Sequence, residues 1–367
     1  MITKKNIPNF YLVFIFTHLV IWTLIPTLTN TNLPLDTIEA LAWGSNLSWG
    51  FNKHPPLSAF AVELFYQIFS NNDWAYYLLS QIFVIVAFIF VFKIAQEILE
   101  NTYLAFISIL LLESIFFFNY SSPEFNVNVA QLPFWSLSIF FTWRCLKFNK
   151  VSDYIFLGIF MGLGILSKYL FLYLVISIKL LFFYLIIKKK IKSLKFLLIG
   201  PVILIIIFPH LIWLFENNFA TLQYGFQRTG GIGNLSDHLI FPFQFILKQL
   251  GILLPFFLMC IVLIKKIKFN NIEFNYKTIF LIFTCLMPVL LIVGTSLILG
   301  SKIRTMWMTP FYLIFGLTFL QVFKKNINLK NLKIFYVTFF VFFFLSPVIY
   351  ATVSLTNDFK RTDYPGK

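Results

Sequence analysis

The sequence predicts an all-α fold, a polytopic bundle of transmembrane helices. Three observations predict it. Hydrophobic residues make up 59% of the chain and charged residues only 12%, about half the charged share of a soluble domain. The apolar runs have bilayer-spanning length, roughly 17–25 residues each. They lack the period-two alternation that a membrane β-barrel requires. The 367 residues read as a single transmembrane domain, 1–367.

Taken in order, the first run, 10–28, is long and is not followed by a small-residue cleavage site, so it is expected to be an anchor. A polar stretch, 29–73, follows as an outer loop with juxtamembrane helices. Further spans are expected near 74–95, 102–118, 127–146, 154–171, 172–187, 196–214, 240–264, 278–299, 306–323 and 334–353, about eleven in all. A short tail, 354–367, closes the chain, with no sizeable soluble C-terminal domain expected.

Sidedness follows from the cations. With the N-terminus inside, alternate loops collect Lys4 and Lys5, Lys93, Arg144 with Lys147 and Lys150, the run at 188–195, Lys265 to Lys277, and Lys324 to Lys333. That alternation is the positive-inside rule. The net charge of +15 is therefore a topology signal with some attraction to anionic lipid, not a nucleic-acid footprint. Cys145, Cys260 and Cys285 form no CxxC pattern and none lies in an outer loop. No Walker A loop and no GxGxxG is present.

The outer face holds the groups that topology does not explain. Asp36 and Glu39 stand three apart, so a helix puts them on one face. Lys53 and His54 precede Pro55-Pro56 in the same loop. Glu124 lies in the loop before the fourth span, where Ser122-Pro123 is expected to start a helix; it is a second reacting carboxylate or a helix-capping glutamate. Lys168, Arg228, Lys302 and Arg304 are solvated or snorkelling charges, or together an anion site, since Arg as a fork and Lys as a point charge suit a phosphate. His210 reads as a core histidine or a site residue. Tyr169 and Tyr224 sit beside these groups. The glycine-rich stretch 230–233 reads as an outer loop.

These residues stand in motifs that resemble a family. The segments LDTIEALAWGSNLSWGFNKHPPL at 35–57 and NYSSPEFNVNVAQLPFW at 119–135 are the most specific. NDWAYYLLSQ at 72–81, GLGILSKY at 162–169, FPHLIWLFENNFATLQYGFQR at 208–228 and SKIRTMWMTP at 301–310 continue the likeness in order. The chain resembles GT-C superfamily membrane glycosyltransferases. Its nearest likeness is the bacterial branch related to dolichyl-phosphate-mannose protein mannosyltransferases (PMT) and to the ArnT aminoarabinose transferases. The resemblance implies a multi-pass protein of the bacterial inner membrane. It implies a polyprenyl-phosphate sugar donor, and transfer on the periplasmic or extracellular side to a lipid, glycan or protein acceptor. On that pattern Asp36 is the expected base, with Glu39 its neighbour and Glu124 the second acidic motif. Lys53 matches the cation that faces the donor phosphate, and Lys168 and Arg228 are further phosphate partners.

The chemistry fits. An acceptor hydroxyl attacking the anomeric carbon needs a carboxylate to take its proton. The departing lipid phosphate needs cations. No cofactor is required, though Glu39, His54, Glu124 and His210 could hold a divalent metal. The alternative is a flippase or transporter of lipid-linked sugars, which would place its charges at mid-membrane and show internal repeats.

Overall fold

The computed structural model describes residues 7–190, 193–230, 234–264 and 274–356. Among these every regular element is a helix, with no strand. The runs expected to span are mostly helical, though in 102–118 the α-helix ends at Leu112 and a separate 3₁₀ turn follows at Phe116–Phe118. Six helices are long and apolar enough to cross a membrane: Ile7–Thr29, Asp73–Leu99, Tyr169–Ile187, Lys195–Glu216, Tyr276–Leu299 and Leu332–Thr356. Two bent pairs bring the count to as many as eight. These are Asp237–Ile252 with Leu254–Leu263, bent by 56°, and Thr305–Tyr312 with Phe315–Val322, bent by 54°. The helices Thr102–Leu112 and Val151–Ser167 are apolar but shorter, and Leu132–Phe148 carries Arg144 and Lys147 in its last turns. The chain is a multi-pass membrane protein.

The core forms around Asp73–Leu99, which packs against Ile7–Thr29, Thr102–Leu112 and Leu132–Phe148. Its buried residues run all round the helix, from Ala75 to Leu99, as expected of a helix surrounded by others. A layered series continues outward from it. Leu132–Phe148 packs on Val151–Ser167, and that helix packs on Ile199–Glu216. The last contact is close because of two glycines four apart. A Cβ at Gly158 would lie 2.7 Å from Val202 Cβ, and one at Gly162 would lie 2.7 Å from Ile206 Cβ. Small residues at such an interface let membrane helices approach and pack.

Two local starts differ from the expectation. The helix after the second acidic motif does not begin at Ser122-Pro123. It begins at Val127, because the Asn126 side chain accepts hydrogen bonds from the backbone N–H of Asn128 (2.8 Å) and Val129 (3.3 Å). Glu124 therefore lies ahead of the cap and outside the helix. The break between the fifth and sixth runs falls at Lys168, which is extended, with a 3₁₀ turn at Tyr169–Phe171 beyond it. The glycine-rich loop expected at 230–233 lies, from 231 onward, outside the described residues.

A buried ionisable pair ties the first helix into the core. His18 Nδ1 lies 2.9 Å from Glu113 Oε2, and both side chains are fully buried. The far end of the bundle is joined through Asn30, whose amide donates to Tyr77 and Tyr350 hydroxyls at 2.8 Å each, while Ser354 donates to its carbonyl.

Candidate active site

Alternate connections of the chain converge at one end of the bundle on a cavity of about 760 Å³. The helix Leu35–Gly44 presents Asp36 and Glu39 to it from one face, as the three-residue spacing requires. Asp36 makes no hydrogen bond or ion pair among the described residues, whereas Glu39 accepts a short hydrogen bond from Lys53 Nζ. That carboxylate holds the Lys53 ammonium above its usual range.

Lys53 and His54 are placed by a loop fixed at three points. Trp49 O accepts from His210 Nδ1 (2.6 Å), Phe51 O accepts from Thr221 Oγ1 (2.7 Å), and Phe51 N–H donates to His54 O (3.1 Å). Trp43 stacks on Phe51 at 5.2 Å. His54 lines the cavity, but burial and the nearby cations of Lys168, Lys53 and Arg228 push its imidazole down to about 3. It is neutral at pH 7, so it offers a phosphate a hydrogen bond and not a charge.

Lys168 enters from the opposite wall. It is only 7% exposed. Its Nζ donates to Asn128 Oδ1 at 2.7 Å and lies 4.9 Å from the centre of the Trp307 ring. Burial pushes its ammonium down to about 7, with Asp36 acting against that fall. Tyr169, Tyr224 and Arg228 are further polar members of the lining. Leu170, Leu172, Tyr173 and Ile176 line the cavity's apolar side.

Four expected site residues stand elsewhere. His210 is 1% exposed and does not line the cavity. Trp49 O can only accept, so His210 Nδ1 carries the proton and Nε2 accepts from the Tyr169 hydroxyl at 2.6 Å. It is a core histidine that holds the Lys53 loop to Tyr169. Lys302 and Arg304 line a separate cavity, which meets the first at Arg228 and Met306. Glu124 lines a third, of about 270 Å³, which shares Asn128 and Met306 with the first. The four residues that could hold a divalent metal do not come together. Glu124 lies in a different cavity from Glu39 and His54, both nitrogens of His210 are engaged, and among the described residues no three metal-ligating groups come together.

Several residues that matter to this geometry escaped the sequence reading. Asn128 and Trp307 hold Lys168, and Thr221 holds the loop. Their one signal was membership of the motifs at 119–135, 301–310 and 208–228; neutral side chains carry no charge anomaly to flag them.

Comparison with known proteins agrees with this architecture. Residues 53–213 match the family described as dolichyl-phosphate-mannose-protein mannosyltransferase. The structure superposes on that of ArnT from Cupriavidus metallidurans, solved with undecaprenyl phosphate bound, with a TM-score of 0.65 over 90% of this chain at 14% identity. The chain therefore shares the fold of that ArnT structure, and its segment 53–213 is similar to the mannosyltransferase family. It covers 62% of that ArnT chain. No curated protein sequence matches significantly. The family match begins at Lys53 and includes Glu124, Lys168 and His210, while Asp36, Arg228, Lys302 and Arg304 lie outside it.

Proposed function

We propose that this chain is a membrane glycosyltransferase that moves a sugar from a polyprenyl-phosphate donor to a hydroxyl of a lipid, glycan or protein acceptor. One observation carries the reading: a single cavity sets an unpaired carboxylate, Asp36, against three cations, Lys53, Lys168 and Arg228. The acceptor oxygen attacks the anomeric carbon while Asp36 takes its proton. The bond to the phosphate oxygen breaks, and its electron pair leaves with the lipid phosphate. The three cations meet the charge that develops there, as preorganised donors do at other developing anions. Glu39, tied to Lys53, orients that cation. The apolar wall from Leu170 to Ile176 suits the first isoprene units of the donor. The proposed face is extracytoplasmic, since the loops that form the cavity are the poor-in-lysine set.

The test is Asp36→Asn in the purified chain supplied with a polyprenyl-phosphate sugar and membrane acceptors. The amide keeps size and hydrogen bonding but takes no proton at neutral pH. Transfer is expected to fall by about 10²–10⁴, the usual worth of general-base catalysis, with donor binding retained. Near-full transfer by Asp36→Asn would remove it as the base.

A further inference from the structure

The outer cations expected to form one clamp divide into two groups, and the second group has its own cavity. It measures about 380 Å³ and is lined by Arg228, Lys248, Lys302 and Arg304 with the neutral Ile303, Thr305 and Met306. No carboxylate lines it, and none of the four cations makes an ion pair among the described residues. The donor cavity is different in kind, since there Asp36 and Glu39 offset the cations.

The cations come from three elements that are locked together beside each charge. Lys302 N–H donates to Thr229 O at 3.0 Å, which fixes the segment 301–304 to the end of the helix Ala220–Arg228. Gln249, next to Lys248, accepts from the Tyr312 hydroxyl at 2.7 Å and reaches Thr305 O at 3.4 Å. Lys248 is the least expected member. It lies in the helix Asp237–Ile252, between Phe245-Ile246-Leu247 and Leu250, within one of the bent membrane pairs. An ionisable group in such a helix is costly and marks a site or pathway by default. Four like charges around one small cavity repel each other, and an anion between them relieves that repulsion.

We propose that this cavity binds a second phosphate-class anion, separate from the leaving phosphate of the donor. The inference rests on the transferase reading for its neighbour, since the shared wall, Arg228, places the second anion beside the reacting centre. Two sources share the chemistry: a phosphate carried by a reaction partner, or the headgroup of an anionic bilayer lipid.

The experiment uses the full chain in phosphatidylcholine nanodiscs, saturated with undecaprenyl phosphate, and titrated with radiolabelled inorganic phosphate. Wild type is expected to bind one further phosphate. Lys248→Gln with Lys302→Gln should weaken that binding by about tenfold or more per cation removed, while Lys53→Ala leaves it unchanged. Lys248→Gln alone removes a charge from an exposed position, so a folded variant is assured of a readout. Short-chain phosphatidylglycerol that displaces the second phosphate identifies the bilayer as the source; failure to displace it identifies a reaction partner. The inference is overturned if the saturated wild type binds no further phosphate, or if the double variant binds it as well as wild type. Failure of undecaprenyl phosphate to bind at all would instead sink the reading of the donor cavity, and the phosphate titration would still report on its neighbour.

Discussion

At the scale of single residues, the site turns on Lys168. A lysine pushed down to about 7 is half charged at neutral pH, and a phosphate binds only its charged form well. The folded-state shift is downward, so charge is full below about 7 and fades as pH rises through it. The donor's phosphodiester keeps its charge over the same range. Hence kcat/KM for a polyprenyl-phosphate sugar should fall above pH 7, approaching about tenfold per pH unit. In Lys168→Arg the guanidinium stays charged, so this alkaline limb should move to higher pH. A limb unchanged in the arginine variant would show that another group titrates. Charged members of the proposed donor cavity were legible in the sequence because ionisable groups on the lysine-poor face of so apolar a chain are few. Asp36, Glu39, Lys53, His54, Lys168 and Arg228 all meet there. What escaped was which residue holds which. That His54 is neutral depends on its burial and on three cations brought near it by the fold. That His210 only positions its neighbours depends on contacts with Trp49, 161 residues away, and Tyr169. Lys248 was hidden by its setting, since it reads as one polar residue within an apolar span.

At the scale of elements, length and hydropathy predict that each run is helical but not how it bends. The break at Leu253 precedes Leu254-Pro255, where proline restricts the residue before it. The π turn Ile282–Leu286 runs into Pro288, whose missing N–H removes one rung of the ladder. The helix contact that supports the site is a matter of two glycines. Ile199–Glu216 carries His210 and also Trp213, which a Cβ at Gly50 would strike at 2.2 Å. Pushing this helix away from Val151–Ser167 would therefore disturb the Lys53 loop. Gly162→Val should destabilise the purified chain by about 1–3 kcal/mol, the cost of overpacking, and lower transfer as well as Tm. Gly200, on the same helix Ile199–Glu216, has nothing within 4 Å of a built Cβ. Gly200→Ala should be neutral or stabilise by about 0.5–1 kcal/mol. Equal Tm values for the two variants would mean that the close contact carries no weight.

At the scale of the whole molecule, the connections sort into two ends. The segments around 36–54, 127–128, 168–169, 221–229 and 306–307 meet at the donor cavity. The segments around 98–100, 275–277 and 321–325 meet at another, where Lys277 pairs with Glu100 at 2.7 Å and Lys324 and Lys325 also line the wall. Among the described residues Lys147, Lys277 and Lys324 belong to this second group, paired with Glu97, Glu100 and the Leu99 carbonyl. The lysine-rich connections also include 191–192 and 265–273, outside the described residues, and the charge rule puts this set on the cytoplasmic side. All three cysteines, Cys145, Cys260 and Cys285, are buried, which gives labelling a low background. A cysteine at the exposed Ser45, on the donor-cavity side, should react in intact cells with a membrane-impermeant maleimide. One at Ser193, beside the run Lys188-Lys189-Lys190, should react only after permeabilisation, because clusters of lysine stay on the cytoplasmic side. The reverse pattern would put Asp36 and its cations in the cytoplasm and end the proposal of an extracytoplasmic transfer, while leaving the fold and the cavity as they stand.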